Sequence, residues 1–278
     1  MTPDEYCQQK AAASGSSFYY SFLFLPSERR RAITAVYAYC REVDDVVDEV
    51  SDPAVADAKL AWWAGELRAL FAGAPTHPVT RALQPFLHGD FGITQERLSA
   101  VLAGMEMDLR QNRYLDFAAL RRYAHHVAGV VGEMSASIFG YEDAATLQYA
   151  ERLGIALQLI NIIRDVGDDA RRGRIYLPLD EMQQHGVTAA DLLNRRYVAG
   201  FVPLMHFQAE RARATYHEAL ALLSPRDRRA QRAGLVMGAI YATLLDEIER
   251  TGFQVLHQRI GLTPLRKLWI AWKTWVRG

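Results

Sequence analysis

Apolar residues recur every three or four positions through most of the chain, and no window sustains the alternation of a strand bounded by turns. The spacing predicts helices roughly over 28–50, 54–72, 77–90, 94–113, 116–140, 143–170, 199–223, 226–252 and 264–276. Pro26, Pro53, Pro75, Pro78, Gly92, Gly140, Pro178, Pro203, Pro225, Gly261 and Pro264 punctuate the pattern. Thr94, three residues before Arg97, and Ser224, just before Pro225, are expected helix starts. The stretch 168–198 passes from charged to aromatic to proline and reads as a loop with short helices. No linker is long or biased enough to divide the chain, and there is no fixed-period repeat. The expectation is an all-α fold in a single domain over 1–278.

Composition adds mainly exclusions. Half the residues are hydrophobic and 23% are charged, an ordinary globular balance with material for a large core. Lysine plus arginine equals aspartate plus glutamate, 32 each. Zero net charge and the lack of a recognisable module argue against a nucleic-acid partner. Cys7 and Cys40 are too few for a disulfide scaffold or a cysteine-based zinc site, and free thiols suit a reducing cytoplasm. The N-terminus has no basic region followed by an apolar run. No stretch approaches the ~18 apolar residues of a membrane span. A cytoplasmic protein, soluble or peripheral at a membrane, is expected.

Two acidic stripes change the picture. Tyr37, Arg41, Asp44 and Asp48 are spaced by four, three and four, so they share one face of the helix at 28–50. Carboxylates one turn apart repel each other, and a divalent cation would reverse that. An acidic pair on a helix is most often solvated surface, so these residues alone decide nothing. The second stripe is harder to dismiss. Gln158, Asn161, Asp165 and Asp169, at intervals of three, four and four, cross the apolar run IALQLINII, where an unpartnered charge is costly. Oxygen donors of this kind suit Mg²⁺, which completes its shell with water and substrate phosphate. Arg41 and Arg164 stand beside the stripes, and guanidinium forks match phosphate oxygens. Together they read as a magnesium–diphosphate clamp. His125 and His126, being adjacent, diverge by about 100° on a helix. They are expected to be a packed or exposed pair, not joint metal ligands.

At these residues the chain resembles the squalene/phytoene synthases. Asp44-Asp45-Val46-Val47-Asp48 is similar to that family's first aspartate-rich motif. Tyr123-Ala124-His125-His126-Val127-Ala128-Gly129-Val130-Val131-Gly132 is similar to its second conserved segment. The run from Leu153-Gly154 through Gln158, Asn161, Arg164-Asp165 and Asp169 to Arg174-Ile175-Tyr176-Leu177-Pro178 is similar to its last signature. The resemblance extends from about Ser14 to the final helices. It implies a class I isoprenoid-synthase helical bundle around a central apolar cavity, with the acidic motifs on facing helices above it. It further implies Mg²⁺ bound by Asp44, Asp48, Asn161, Asp165 and Asp169, and a diphosphate-contacting flap at Ser14, Ser16, Ser17 and Phe18. Arg41, Gln158 and Arg164 would contact diphosphate, Arg174 and Tyr176 would bind substrate, and Tyr37 and Tyr123 would line the reaction centre. Val127, Ala128, Gly129 and Gly132 would admit a prenyl chain, although small residues serve helix packing equally well. Asp108 is a further candidate for the pocket, its alternative being a surface ion pair.

The N-terminal half resembles most closely the bacterial presqualene diphosphate synthases of hopanoid pathways. That implies joining two farnesyl diphosphates and stopping at presqualene diphosphate, with released diphosphate and Tyr123 as candidate proton acceptors. Reduction onward to squalene with NADPH, or use of geranylgeranyl diphosphate to make phytoene, are the alternatives within the family. Asn161-xxx-Asp165-xxx-Asp169 argues against a chain-elongating prenyltransferase with two DDxxD motifs. A terpene cyclase would lack the Tyr123–Gly132 and Arg174–Pro178 segments, and a non-catalytic scaffold would have lost its oxygen ligands. Candidate partners are isoprenoid diphosphates and other enzymes of the same pathway. A membrane surface is another. Pro264 can open a last helix whose apolar face is Leu265, Leu268, Trp269, Trp272 and Trp275–Val276, with Arg266, Lys267, Lys273 and Arg277 nearby. That pattern is expected of an interfacial helix and of an ordinary packed one alike.

Overall fold

A computed structural model describes residues 1–13, 21–22, 25–50 and 52–277. The expected flap residues Ser14, Ser16, Ser17 and Phe18 lie outside them. The described residues are helical throughout apart from connections, with one isolated bridge between Arg113 and Ile175. In chain order the helices are α1 (Pro3–Ala13), α2 (Ser27–Glu49), α3 (Pro53–Phe71), α4 (Pro78–Leu83), α5 (Gln95–Arg110), α6 (Phe117–Ala124), α7 (Val130–Phe139), α8 (Ala145–Arg171), α9 (Leu179–Gln184), α10 (Ala189–Leu193), α11 (Phe201–Leu222), α12 (Arg232–Arg250) and α13 (Pro264–Arg277). The all-α expectation holds.

Two helices set the frame. In α2, Ile33, Val36, Tyr39, Val43 and Val46 repeat at helical spacing and are buried. The Tyr39 hydroxyl donates to the Leu98 carbonyl at 2.9 Å, fastening α2 to α5. The 27-residue α8 is apolar nearly all round through Ile155, Ala156, Leu159, Ile160, Ile162 and Ile163, and it lies against α7 and α11. A helix of that composition belongs inside a protein. Its contact with the α6–α7 segment is glycine-mediated from both sides. A Cβ on Gly132 would strike the Ala150 carbonyl, and one on Gly154 would strike the Ala128 carbonyl. For Gly132 and Gly154, helix packing is therefore a sufficient reason for the missing side chain.

Departures from the expected helices have local causes. The helix expected over 77–90 stops at Leu83, because Pro85 disfavours continuation and leaves a 3₁₀ turn at Gln84–Phe86. The helix expected from 226 starts at Arg232 instead, so Ser224 does not open it. Buried Asp227 accepts from the Glu142 and Asp143 amides and the Thr146 hydroxyl, at 2.8, 3.1 and 2.6 Å, while Gln231 donates to the Ala136 and Gly140 carbonyls. That segment is thereby held as turns over the start of α8. Thr94 caps α5 as expected, its hydroxyl accepting from the Arg97 amide. Between α6 and α7, His125–Gly129 forms a π turn within an otherwise continuous helix. Helix α1 was not expected, since only Cys7 and Ala11 of it are buried and no stripe marks it. Lys10 anchors it to α2 through Glu42 and Asp45, at 3.1 and 2.8 Å.

Helix α13 lies on α12 through Ala271, with Trp275 half-buried and the Arg232 guanidinium over its ring. Trp275 thus turns inward, away from Leu265, Leu268, Trp269, Trp272 and Val276, with which its spacing had grouped it. No helix among the described residues is long and apolar enough to cross a membrane.

The glycine contacts give a stability test. Gly154→Ala should destabilise the protein by about 1–3 kcal/mol in urea unfolding, because backbone cannot move aside cheaply. Gly65→Ala in α3, where a Cβ would meet only the end of Arg68 at 3.7 Å, should instead stabilise it by about 0.5–1 kcal/mol.

Candidate active site

The two acidic stripes face each other across one cleft. Tyr37, Arg41, Asp44 and Asp48 approach from α2, and Gln158, Asn161, Arg164, Asp165 and Asp169 from α8. Beneath lies an apolar cavity of about 1220 Å³, its open mouth included, lined by residues such as Ile33, Val36, Val127, Val131, Leu157 and Met237. Tyr37, Arg41, Asp44, Tyr123, Gln158 and Asn161 border both spaces, so the polar cleft is the mouth of the apolar cavity. Val127, Ala128 and Gly132 line the apolar part.

Arginines thread between the carboxylates. Arg41 donates to Asp44 and Asp45, both at 2.6 Å. Arg174 donates to Asp48 at 2.6 Å and to the Val47 carbonyl at 2.9 Å, and it approaches Asp108 at 3.3 Å. Arg172 adds a second contact to Asp48 at 2.8 Å. Arg164 grips the neighbouring Asp165, which also accepts from Arg259 at 2.9 Å. The segment carrying Arg174 and Tyr176 is positioned by main-chain bonds: the Ile175 amide donates to Asn112 and the Leu179 amide to Tyr114. Under it, Tyr114, Tyr123 and Tyr176 cluster with ring centroids 5.4–5.8 Å apart.

Crowding shifts these groups in opposite directions. Burial, and behind it the Asp48 charge, pushes Asp44 up to about 7, although 37% of its side-chain surface still meets solvent. Burial, with the Asp165 and Asp108 charges, pushes Asp169 up to about 8. Burial alone would raise Asp165 too, but its bonds to Arg164 and Arg259 hold it below the usual carboxylate range. Burial raises the Tyr123 and Tyr176 phenols well above 10, so both stay protonated at neutral pH.

The donor set suits a hard divalent cation. Every expected ligand offers oxygen, and burial beside other carboxylates makes the charged forms of Asp44 and Asp169 costly. The Asn161 Oδ1 atom is buried without a hydrogen-bond partner. No three His, Cys, Asp or Glu side chains among the described residues converge enough to enclose an ion alone. A cation here would therefore complete its shell with water and phosphate, as Mg²⁺ does.

The structure brings the expected site residues within the described set to this cleft and cavity, except Gly129, which faces Glu151 and the His125 ring instead. His125 lies outside the acidic cleft, with Nδ1 2.9 Å from Glu151, and His126 is bonded to the Arg122 carbonyl at 2.8 Å. Asp108 belongs to the cleft: it is 7% exposed and accepts from the Tyr176 hydroxyl at 2.5 Å. Sequence reasoning missed Arg172, Arg259 and Lys267, which line the cleft from irregular or terminal segments. Only the arginine cluster at 171–174 carried a signal for the first of them.

Comparison with known proteins agrees with this geometry. The squalene/phytoene synthase family profile matches residues 11–266. The phytoene synthase of Arthrospira platensis is 38% identical over 95% of this chain and 89% of its own. Others at 33–37% identity are likewise phytoene synthases. A dehydrosqualene synthase solved with a ligand superposes with a TM-score of 0.86 at 27% identity, covering 99% of this chain and 96% of the other. Squalene synthase HpnC from Alicyclobacillus acidocaldarius gives 0.79 at 30% identity, covering 90% and 94%. The phytoene synthase relatives overturn the expectation of a farnesyl-using presqualene diphosphate synthase. That reading rested on likeness in the N-terminal half alone, whereas these matches span nearly the whole chain.

Removing one hydroxyl tests the cleft's internal order. Tyr176→Phe leaves buried Asp108 short of a donor and should cost about 1–3 kcal/mol in denaturant unfolding. Tyr141→Phe, at an exposed position, should change stability by less than about 0.5 kcal/mol.

Proposed function

The chain belongs to the squalene/phytoene synthase family, and we propose that within it this enzyme joins two molecules of geranylgeranyl diphosphate head to head to give phytoene. The likeness to phytoene synthases across 95% of the chain carries this reading. The charged cleft above an apolar cavity supports the chemistry.

Asp44, Asp48, Asn161, Asp165 and Asp169 would hold Mg²⁺, which when bound supplies positive charge to a departing diphosphate. Arg41, Arg164 and Arg174 would bind diphosphate oxygens, and Gln158 would orient them. The cavity below receives the prenyl chains and excludes water, which would quench an allylic cation. That cation is attacked by the C2=C3 double bond of the second substrate, and loss of a proton closes a cyclopropane. A second ionisation, rearrangement and proton loss give the hydrocarbon, so two diphosphates and two protons leave in all. Tyr123 borders both the cleft and the apolar cavity, where its ring would stabilise positive charge on carbon, with Tyr176 stacked behind it. Because burial keeps the Tyr123 phenol protonated, departing diphosphate is the better proton acceptor. A forty-carbon product is insoluble in water, so the reading places the enzyme peripherally at a membrane surface.

Incubation of the purified protein with Mg²⁺ and geranylgeranyl diphosphate should yield a forty-carbon hydrocarbon by mass spectrometry. Absence of any product combining two substrates would refute the assignment. Asp165→Ala should lower turnover by about 100-fold or more, equivalent to about 3 kcal/mol of transition-state stabilisation. Its circular dichroism should remain helical.

A further inference from the structure

Helix α13 is amphipathic in an unusual sense: its outward side is the apolar one. Ala271 is buried against the bundle and Trp275 is half-buried there. On the other side Leu265, Leu268, Trp269, Trp272 and Val276 are exposed together. Trp269 keeps 59% and Trp272 53% of its surface in solvent. The two indoles stack on each other with centroids 5.1 Å apart. Scattered apolar residues on a surface need no explanation, but a continuous face with two tryptophans marks a site of contact.

Charge identifies what covers it. No acidic residue follows Glu249 in the sequence, while Arg250, Arg259, Arg266, Lys267, Lys273 and Arg277 all do. Arg266 and Lys273, seven residues apart and exposed, border the apolar face. Arg266 also pairs with Glu247 at 3.0 Å, which fixes the helix start to α12. An apolar face with indoles and a cationic border complements the interface of an anionic bilayer. At about 1.5 Å per residue the 14 residues reach about 21 Å, short of the ~30 Å hydrocarbon core, so such a helix lies in the surface.

We propose that the Leu265–Val276 face of α13 docks the protein on anionic lipid, with the rim of the active-site cleft held against the interface. The placement follows from chain continuity, because Arg259, Leu262 and Lys267 line that cleft and lead into or begin the same helix. Delivery of prenyl diphosphates from lipid rests on the phytoene synthase reading; the docking itself does not.

Sedimentation of the full-length protein with vesicles tests docking without substrate. The protein should bind phosphatidylglycerol–phosphatidylcholine vesicles, and phosphatidylcholine vesicles far more weakly. Trp269→Glu/Trp272→Glu should weaken binding about tenfold or more, with unchanged melting and unchanged turnover in detergent. Lys273→Glu, a milder change, should weaken binding to anionic vesicles only. Failure of the unaltered protein to bind anionic vesicles, or equal binding by both variants, overturns the proposal. A dimer that the tryptophan pair dissociates, with no vesicle binding, would assign the face to a second copy instead. Vesicle binding without condensation activity would remove the phytoene reading and leave docking standing.

Discussion

Mutual repulsion of carboxylates gathered at the mouth of an apolar cavity is the constraint around which this protein is arranged. Asp44, Asp48, Asp108, Asp165 and Asp169 share one cleft. Partly desolvated charges of one sign destabilise a fold unless countercharges are placed among them. Arg41, Arg164, Arg172, Arg174 and Arg259 meet that demand from four different segments, so neutralising the cleft also ties the chain together. Arg174 is the clearest case. It reaches Asp48 and the Val47 carbonyl on α2 and Asp108 on α5, and the loop that carries it is bonded to the connection after α5.

Below the mouth the demands reverse. The cavity walls must be close-packed and dry, and the helices around it approach until backbone meets backbone. Gly132 and Gly154 permit that approach where α8 meets α7 and the π turn before it. Charged mouth and apolar floor depend on the same helix, because α8 supplies Asn161 and Asp165 to one and Leu153 and Leu157 to the other. The register of a single helix therefore aligns the diphosphate-sized part of the site with the chain-sized part.

Much of this was legible in the sequence. The stripe on α8 was readable because polar residues at three- and four-residue spacing inside an apolar helix require a purpose, and the stripe on α2, ambiguous by itself, gained meaning beside it. Helix α1 was not readable, since alanines and one cysteine bury too little to make a pattern. The late start of α12 depended on Asp227 finding partners more than eighty residues away, which no local window contains. Arg259 lies between helices, and only folding brings it to Asp165. Substrate length was the least legible property. Likeness in one half of the chain pointed to farnesyl diphosphate, and relatives matching nearly all of it pointed elsewhere.

The π turn at His125–Gly129 bears on how one helix can serve the cavity along its whole length. Tyr123, Val127, Val131, Ser135 and Phe139 all line it, at strict intervals of four. In a regular α-helix each such interval overshoots a full turn by about 40°, so the row would wind some 160° round the axis between Tyr123 and Phe139. A wider coil near the start of the row winds backward against that drift. The irregular turn thus works as a partial phase correction, holding Tyr123 on the same side as the later members of a row that forms one long wall of the cavity.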